Sequence, residues 1–390
     1  MRDTITIVFD YRSTKKCDMC IVFFEWTMEN RFIVCHNRDE ILSRKTIKTS
    51  WWENDTNKKN ENNNSHEEND DDDDSSKNNN TNFEILAPRD MISGGSWFGF
   101  EKTTGRCAFL TNIREKDNNN DNDDVDADAD DSDSDIVDNS TTFQKLTSRG
   151  ELVINYLTSD PTISAIDYLK TEFCSLSSKS SSDNNDNNNN SKLYAGFNLI
   201  LFSGQDLAYY SNRLPKQQQQ QQQQQHDNNP ISLSMGVSYG LSNSILDRPF
   251  VKVSKGLMIF RQIILSCKDE KKAQNKKDNK NNQHEEEEQQ LIMLEGLKCL
   301  MQRKQQYYDR DEDLPITGYP IEFERNCSSI YVPIVNDYGT RTTIRFILEQ
   351  QQELDDKGRL RRRQKIRLIE TDLNPTTLQW EETTIAATTV

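Results

Sequence analysis

No run of eighteen apolar residues occurs in the chain, so no membrane-spanning helix is expected. A secretory leader is missing from the opening residues. Before Cys20 only Ile5–Phe9 is apolar, and Asp3, Asp10 and Asp18 add negative charge. That run is too short for a signal-peptide core and too acidic for a mitochondrial presequence. Histidine is scarce, and three of the four (His66, His226, His284) lie in strongly polar tracts, which argues against a His-based triad. The glycine-rich block Gly94–Gly99 lacks the Lys-Ser/Thr of a phosphate loop and leads into an apolar run. It reads as a close backbone approach beside a pocket. Eight cysteines without a leader point to a reducing compartment, and the expected location is cytoplasmic.

What is abundant is Asn, Asp, Gln, Glu, Lys and Ser, concentrated at 55–82, 116–139, 177–191, 216–229 and 268–290. These tracts hold too few apolar side chains to offset the entropy of ordering, and they read as disordered insertions into one domain spanning 20–390. Residues 1–19 read as a leader that is disordered or absent from the mature chain. The net charge of −16 is concentrated in the first two tracts, at −6 and −10, so the rest is close to neutral. No steering of a basic partner follows from the acidic pI.

With the tracts set aside, short apolar runs pair into hairpins. Cys20–Glu25 and Arg31–His36 flank Trp26–Asn30, and Ser96–Phe100 and Arg106–Thr111 flank a turn at Gly105. Tyr194–Phe202 and Leu207–Ser211 flank Gly204, and Thr342–Glu349 pairs with Leu360–Glu370. Helical spacing predicts helices over Gly150–Leu157, Pro161–Phe173 (with Pro161 in the first turn), Pro249–Ser266 and Leu291–Met301. Hairpins with helices between them favour an α+β layered domain.

Met19-Cys20-Ile21-Val22-Phe23-Phe24 followed by Asn37-Arg38-Asp39-Glu40 resembles the opening of the transport and Golgi organisation protein 2 family, the NRDE-motif proteins. Further blocks follow in the family's order: Gly94–Gly99, Ala108–Asn112, Arg149–Val153, Gly196–Ile200, Tyr239–Asn243 and Tyr338–Thr342. The resemblance implies a four-layer αββα sandwich of the N-terminal-nucleophile hydrolase type. It implies a role in Golgi organisation and protein secretion, and a lipid, acyl or haem small-molecule ligand. Golgi or mitochondrial association and peripheral membrane association stay open; no nucleic acid, metal or cofactor is expected.

In that fold the chain begins with the nucleophile, whose own α-amine takes the proton. Cys20 would fill that position. Arg38 would stabilise its thiolate, Asp39 would hold the α-amine, Asn112 and Asn243 would bind an oxyanion, and Arg341 would add a second cation. On the residues alone, each has a structural reading: a buried strand cysteine, a polar turn with an ion pair at Asn37–Glu40, turn-closing asparagines and a structural salt bridge. Cys20 is not the first residue as written. Translation from Met19 with loss of that methionine, later cleavage, and a retained leader over a binding-only site are three open accounts. Cys17, Cys20, Cys35 and His36 have a zinc-like spacing, but adjacent strand residues face opposite ways. The basic run Arg359–Arg367 reads as guarding a strand edge. Two functions remain: a carrier or scaffold whose pocket binds, and an N-terminal cysteine amidohydrolase or acyltransferase on a lipid-like amide or thioester.

Overall fold

Alternation of side chains along the first hairpin sets the layering. Strand β1 (Met19–Trp26) pairs antiparallel with β2 (Arg31–Ile41) through a turn in which Asn30 takes φ +58°. Val22, Phe24, Phe32 and Val34 face one way, and Ile21, Phe23, Ile33 and Cys35 the other. Both sets are buried, so this hairpin must be covered on both sides. The computed structural model describes residues 19–52, 83–114, 147–174, 194–213, 229–274, 282–315, 319–354 and 360–389. Tracts 55–82, 116–139 and 177–191 lie outside those residues, as do 216–228.

The hairpin belongs to a six-stranded antiparallel sheet of order β10-β1-β2-β11-β12-β13, with β10 Ser238–Leu241, β11 Tyr338–Leu354, β12 Leu360–Leu373 and β13 Trp380–Thr389. The second sheet has seven antiparallel strands in chain order: β3 Thr46–Trp52, β4 Ile85–Asp90, β5 Phe98–Glu101, β6 Cys107–Asn112, β7 Phe197–Phe202, β8 Leu207–Ser211 and β9 Ile231–Leu233. An aromatic-rich core lies between the sheets, where Phe32 stacks on Phe202 at 4.2 Å and Phe109 meets Phe24 edge-on at 5.2 Å. Helices α1 (Gly150–Leu157) and α2 (Ala165–Phe173) cover the outer face of the seven-stranded sheet. Helices α3 (Val251–Gln274) and α4 (Asn282–Met301) cover the six-stranded sheet, and short α5 (Ile321–Asn326) precedes β11. The chain is therefore α+β, with two antiparallel sheets packed face to face.

The four expected hairpins and the helix at 150–157 are present, and several expectations change. Helix α2 begins at Ala165, not Pro161. Ser164 Oγ accepts from the Asp167 amide at 3.1 Å, and Asp206 receives the Ala165 and Ile166 amides at 3.1 and 3.0 Å, so the start is capped there. The tract read as disordered at 268–290 is helical at both ends, through Gln274 and from Asn282. Lys, Glu and Gln, which make up much of this tract, are good helix formers. The Arg359–Arg367 run divides: from Gln364 onward β13 pairs along β12, whereas Arg361–Arg363 pair with β11 alone, so among the described residues the first part of the run lies at a sheet edge as expected and the second does not. Met19, grouped with the leader in sequence, is the first residue of β1 and fully buried against Phe323, Cys327, Val332 and Tyr338. Among the described residues, no helix is long and apolar enough to cross a membrane.

Candidate functional site

The Asn37–Glu40 segment is strand, not turn. It continues β2 opposite β1, with Asn37 on Ile21, Arg38 on Cys20 and Asp39 on Met19. Strand alternation then divides it. Arg38 and Glu40 share the face of Cys20, toward the second sheet, while Asn37 and Asp39 point toward the helices. On β11 the register against β2 shifts between Thr340 and Thr342, so Arg341 sits in a bulge. Bulges re-aim side chains and are common beside functional sites.

Where the two sheets part at this end there is a cavity of about 570 Å³. Cys20, Arg38, Glu40, Arg44, Asp90, Trp97, Leu110, Asn112 and the first turn of α1 from Arg149 to Glu151 line it. Its size falls in the range of small-molecule sites. The entry of α1 is close because glycines meet there: a Cβ on Gly95 would lie 2.4 Å from the Gly150 carbonyl carbon. That is the close approach expected of the glycine-rich block.

Charge on this face is compensated. Arg38 Nη2 reaches Glu40 at 3.0 Å and Asp90 at 3.2 Å, and Arg44 Nε reaches Asp90 at 2.6 Å. The Arg38 guanidinium lies 4.2 Å from the centre of the Trp97 ring. Its Nη1 is buried and has no hydrogen-bond partner among the described residues. Burial pushes the Asp90 carboxyl up, but the Arg44 hydrogen bond and the charges of Arg44 and Arg38 outweigh it and hold the acid below its usual range. His36, on the same face but deeper, is driven down to about 3 by burial and by Arg38, so it is neutral. Cys35 faces the helices instead, so the Cys35-His36 pair cannot converge on one ion.

Behind the sheet the environment differs. Asp39 is fully buried. Its Oδ1 accepts from Thr340 Oγ1 at 2.6 Å, and its Oδ2 has no hydrogen-bond partner among the described residues. Burial raises the acid to about 6, against the opposing pull of Lys252, Thr340 and Arg114. Lys252 is itself buried, donates to the Cys327 carbonyl at 2.8 Å and is pushed down by desolvation.

The backbone of Cys20 is clamped from β10 and the residues after it. Ser242 Oγ donates to the Cys20 carbonyl at 2.7 Å, and the Cys20 amide donates to Asn243 Oδ1 at 3.3 Å. Asn243 Nδ2 donates to the Asn112 carbonyl at 2.9 Å, so this amide joins the two sheets. Thr111 Oγ1 and Asn198 Nδ2 bond the 242 and 244 carbonyls from the second sheet, and Tyr209 holds Asn198 Oδ1 at 2.8 Å.

The six residues singled out in sequence therefore cluster around one sheet end in different roles. Cys20, Arg38 and Asn112 line the cavity. Asp39 touches its edge but directs its carboxylate to the helix side. Asn243 braces Cys20, and Arg341, outside the lining, donates to the Arg44 carbonyl. Sequence reasoning missed Arg44, Asp90 and Trp97 as site residues. Trp97 was marked by its place in the Gly94–Gly99 block. Arg44 and Asp90 carry no local signal, because the pairing of Thr46 with Asp90 is what brings them together.

Residues 19–59 and 73–356 match the family described as Transport and Golgi organisation 2. The chain is 28% identical over 260 residues to the Transport and Golgi organization protein 2 homolog of Homo sapiens, covering 63% of this chain and 64% of that protein. It is 27% identical to the Transport and Golgi organization 2 homolog of Mus musculus and 26% to the protein 2 homolog of Bos taurus, each match again covering 64% of the relative. The chain thus spans a little under two thirds of the length of the curated relatives it matches.

Proposed function

The chain belongs to the transport and Golgi organisation 2 family, and from that premise we propose that it is a small-molecule carrier. In this reading it binds a lipid, acyl or haem-like ligand in the cavity at Cys20, in support of Golgi organisation and protein secretion. Residues 20–390 act as one domain with low-complexity insertions, in a four-layer αββα sandwich of the N-terminal-nucleophile hydrolase type. Apolar Trp97 and Leu110 would hold the body of the ligand, and Arg38, with Nη1 still to be satisfied, its polar group.

The observation that carries the binding reading is the seating of Met19. With Met19 built into β1 and buried, the Cys20 nitrogen is a peptide amide that donates to Asn243. A peptide nitrogen cannot take a thiol proton, so for as long as Met19 is retained Cys20 has no α-amine to serve as the base of that hydrolase mechanism. One observation favours the alternative, a cysteine amidohydrolase or acyltransferase. Asp39 lies opposite Met19 in register with a buried oxygen unfilled. A chain cut before Cys20 would place a free α-amine beside that carboxylate.

Native mass spectrometry of protein purified from its own cells tests the proposal, because it reads the N-terminus and any retained ligand together. The carrier reading expects a chain that retains Met19 and a co-purifying small molecule that survives Cys20→Ser but not Arg38→Ala. A chain starting at Cys20, with acyl-amide turnover abolished by Cys20→Ser, would overturn it in favour of the hydrolase.

A further inference from the structure

The turn that follows β4 holds large apolar side chains that its own geometry does not require. Asp90 and the glycines make the turn. Asp90 Oδ1 accepts the Ile92 and Ser93 amides at 2.9 and 3.1 Å, and the Gly94 amide, at φ +79°, donates to the Asp90 carbonyl at 2.7 Å. Met91 and Ile92 lie between them, 52% and 67% exposed. The Met91 amide donates to the Lys45 carbonyl at 3.0 Å, which fixes the tip in place. Ile92 also lines the cavity, so this tip stands at the cavity rim.

A second apolar tip lies at the same end of the molecule. Ile334 and Val335, 38% and 39% exposed, lead into β11 through a two-residue turn of Asn336 and Asp337, both at positive φ. The Leu42 amide donates to the Asp337 carbonyl at 2.8 Å. Both tips are therefore tied to the loop from Leu42 to Lys45, whose ends are no more than about 11 Å apart. Cations accompany them. Lys45 is exposed, and Arg89 is held against the first tip, with Nε donating to the Gly94 carbonyl at 3.3 Å and its guanidinium 4.7 Å from the Trp52 ring. Asp337 is an exposed acid at the second tip.

We propose that this end of the molecule docks on an anionic lipid bilayer. Met91, Ile92, Ile334 and Val335 enter to headgroup depth, and Lys45 and Arg89 meet the lipid phosphates. Exposed apolar side chains beside cations are the composition that binds the boundary between water and acyl chains. The apolar groups are split between two tips with charged chain between them. A protein partner needs a continuous apolar core, which this arrangement does not offer, whereas a fluid bilayer accepts separate insertions. Four partly exposed side chains and two cations give weak, reversible binding. Docking in this orientation sets the cavity rim against the bilayer, so a ligand passes between the two without crossing water. That use rests on the carrier reading; the docking itself does not.

Flotation of the full chain with vesicles of phosphatidylcholine, with and without about 30% phosphatidylserine, tests this. Binding to the anionic vesicles should be at least about tenfold tighter and should weaken with salt. Ile92→Asp and Val335→Asp should each weaken it about tenfold with an unchanged melting temperature, because both side chains are exposed. Lys45→Glu should weaken binding about tenfold on the anionic vesicles alone. Met91→Asp, which lies off the cavity lining, should lose docking yet keep any co-purifying ligand. A chain that docks but retains no ligand sinks the carrier reading alone. Wild-type protein that stays off both vesicles, or docking unchanged by the tip substitutions, overturns the proposal. So does self-association without vesicle binding that Ile92→Asp abolishes, because the surface is then a protein contact.

Discussion

The two faces of one sheet end, only a strand thickness apart, contain the same residue types and treat them in opposite ways. Toward the second sheet, Arg38, Glu40, Arg44 and Asp90 compensate one another beside an open cavity, and the Asp90 carboxyl is held low. Toward the helices, Asp39 and Lys252 are closed off and both are displaced toward neutrality. The difference shows what strand alternation does with a charged motif. Arg38 and Asp39 are adjacent in sequence, yet Arg38 meets carboxylates beside open space while Asp39 is sealed off with Thr340, where desolvation outweighs the pull of Lys252 and Arg114. The first arrangement suits recognition of a ligand. The second buries an acid behind Cys20 and favours its protonated form.

The largest expected effect comes from breaking the compensated side. Arg38→Ala removes two buried charge-assisted contacts and the Trp97 stack, and should cost about 3 kcal/mol, read from the shift in urea midpoint. Arg44 stays on Asp90, which keeps the loss below that of a fully orphaned pair. Met19→Ala probes the closed side. It leaves a cavity among Phe323, Cys327, Val332 and Tyr338 and should cost about 2–3 kcal/mol in the same measurement. If Met19→Ala cost nothing, the closed face would not be closed.

The pH dependence sharpens the contrast, because the signs differ. Asp90 is held low, so its contribution is present above the ordinary aspartate range and is lost as pH falls through its folded value. Asp39, raised to about 6, and Glu370, raised to about 7, both by burial, bind protons more tightly in the folded chain. Their contribution is full at low pH and declines as pH rises from about 4 to about 7. Glu370 accepts the Thr49 amide at 2.6 Å, a bond that a glutamine oxygen keeps. Glu370→Gln should therefore raise the melting temperature at pH 8, by about 2 kcal/mol equivalent, and have no effect near pH 4. A gain of the same size at both pH values would mean that packing, not ionisation, sets it. Cys20→Ser is expected to have the smallest effect, under about 1 kcal/mol in stability, because the backbone clamp from Ser242 and Asn243 does not involve the thiol.

Much of the scaffold was legible beforehand, and the reason is local. Apolar runs bounded by Gly105 and Gly204 specify their own hairpins, and the turns there adopt the positive φ that glycine allows. Other strands were not legible. The sequence of β3, Thr46–Trp52, contains two lysine or serine positions between apolar ones, and its partner β4 lies beyond a long polar tract. Nothing local announces that pairing. Strand β13 is mostly exposed along its length and gains its place only by adding to β12.

By itself the sequence determined the family blocks, the hairpin of Cys20–Glu25 with Arg31–His36, and the near-neutral charge of the chain outside 55–82 and 116–139. These follow from residue spacing and from pairing within a few positions, where the period of a strand leaves little choice. Only the tertiary structure decided that Asp39 and Arg38 face opposite layers, and that Asn243 braces the Cys20 backbone. It alone brought Arg44 and Asp90 to the site and buried Met19 as a strand residue. Each of these depends on which distant segment packs against which face, and a strand carries no information about the chemistry waiting on either side of it until the layers close.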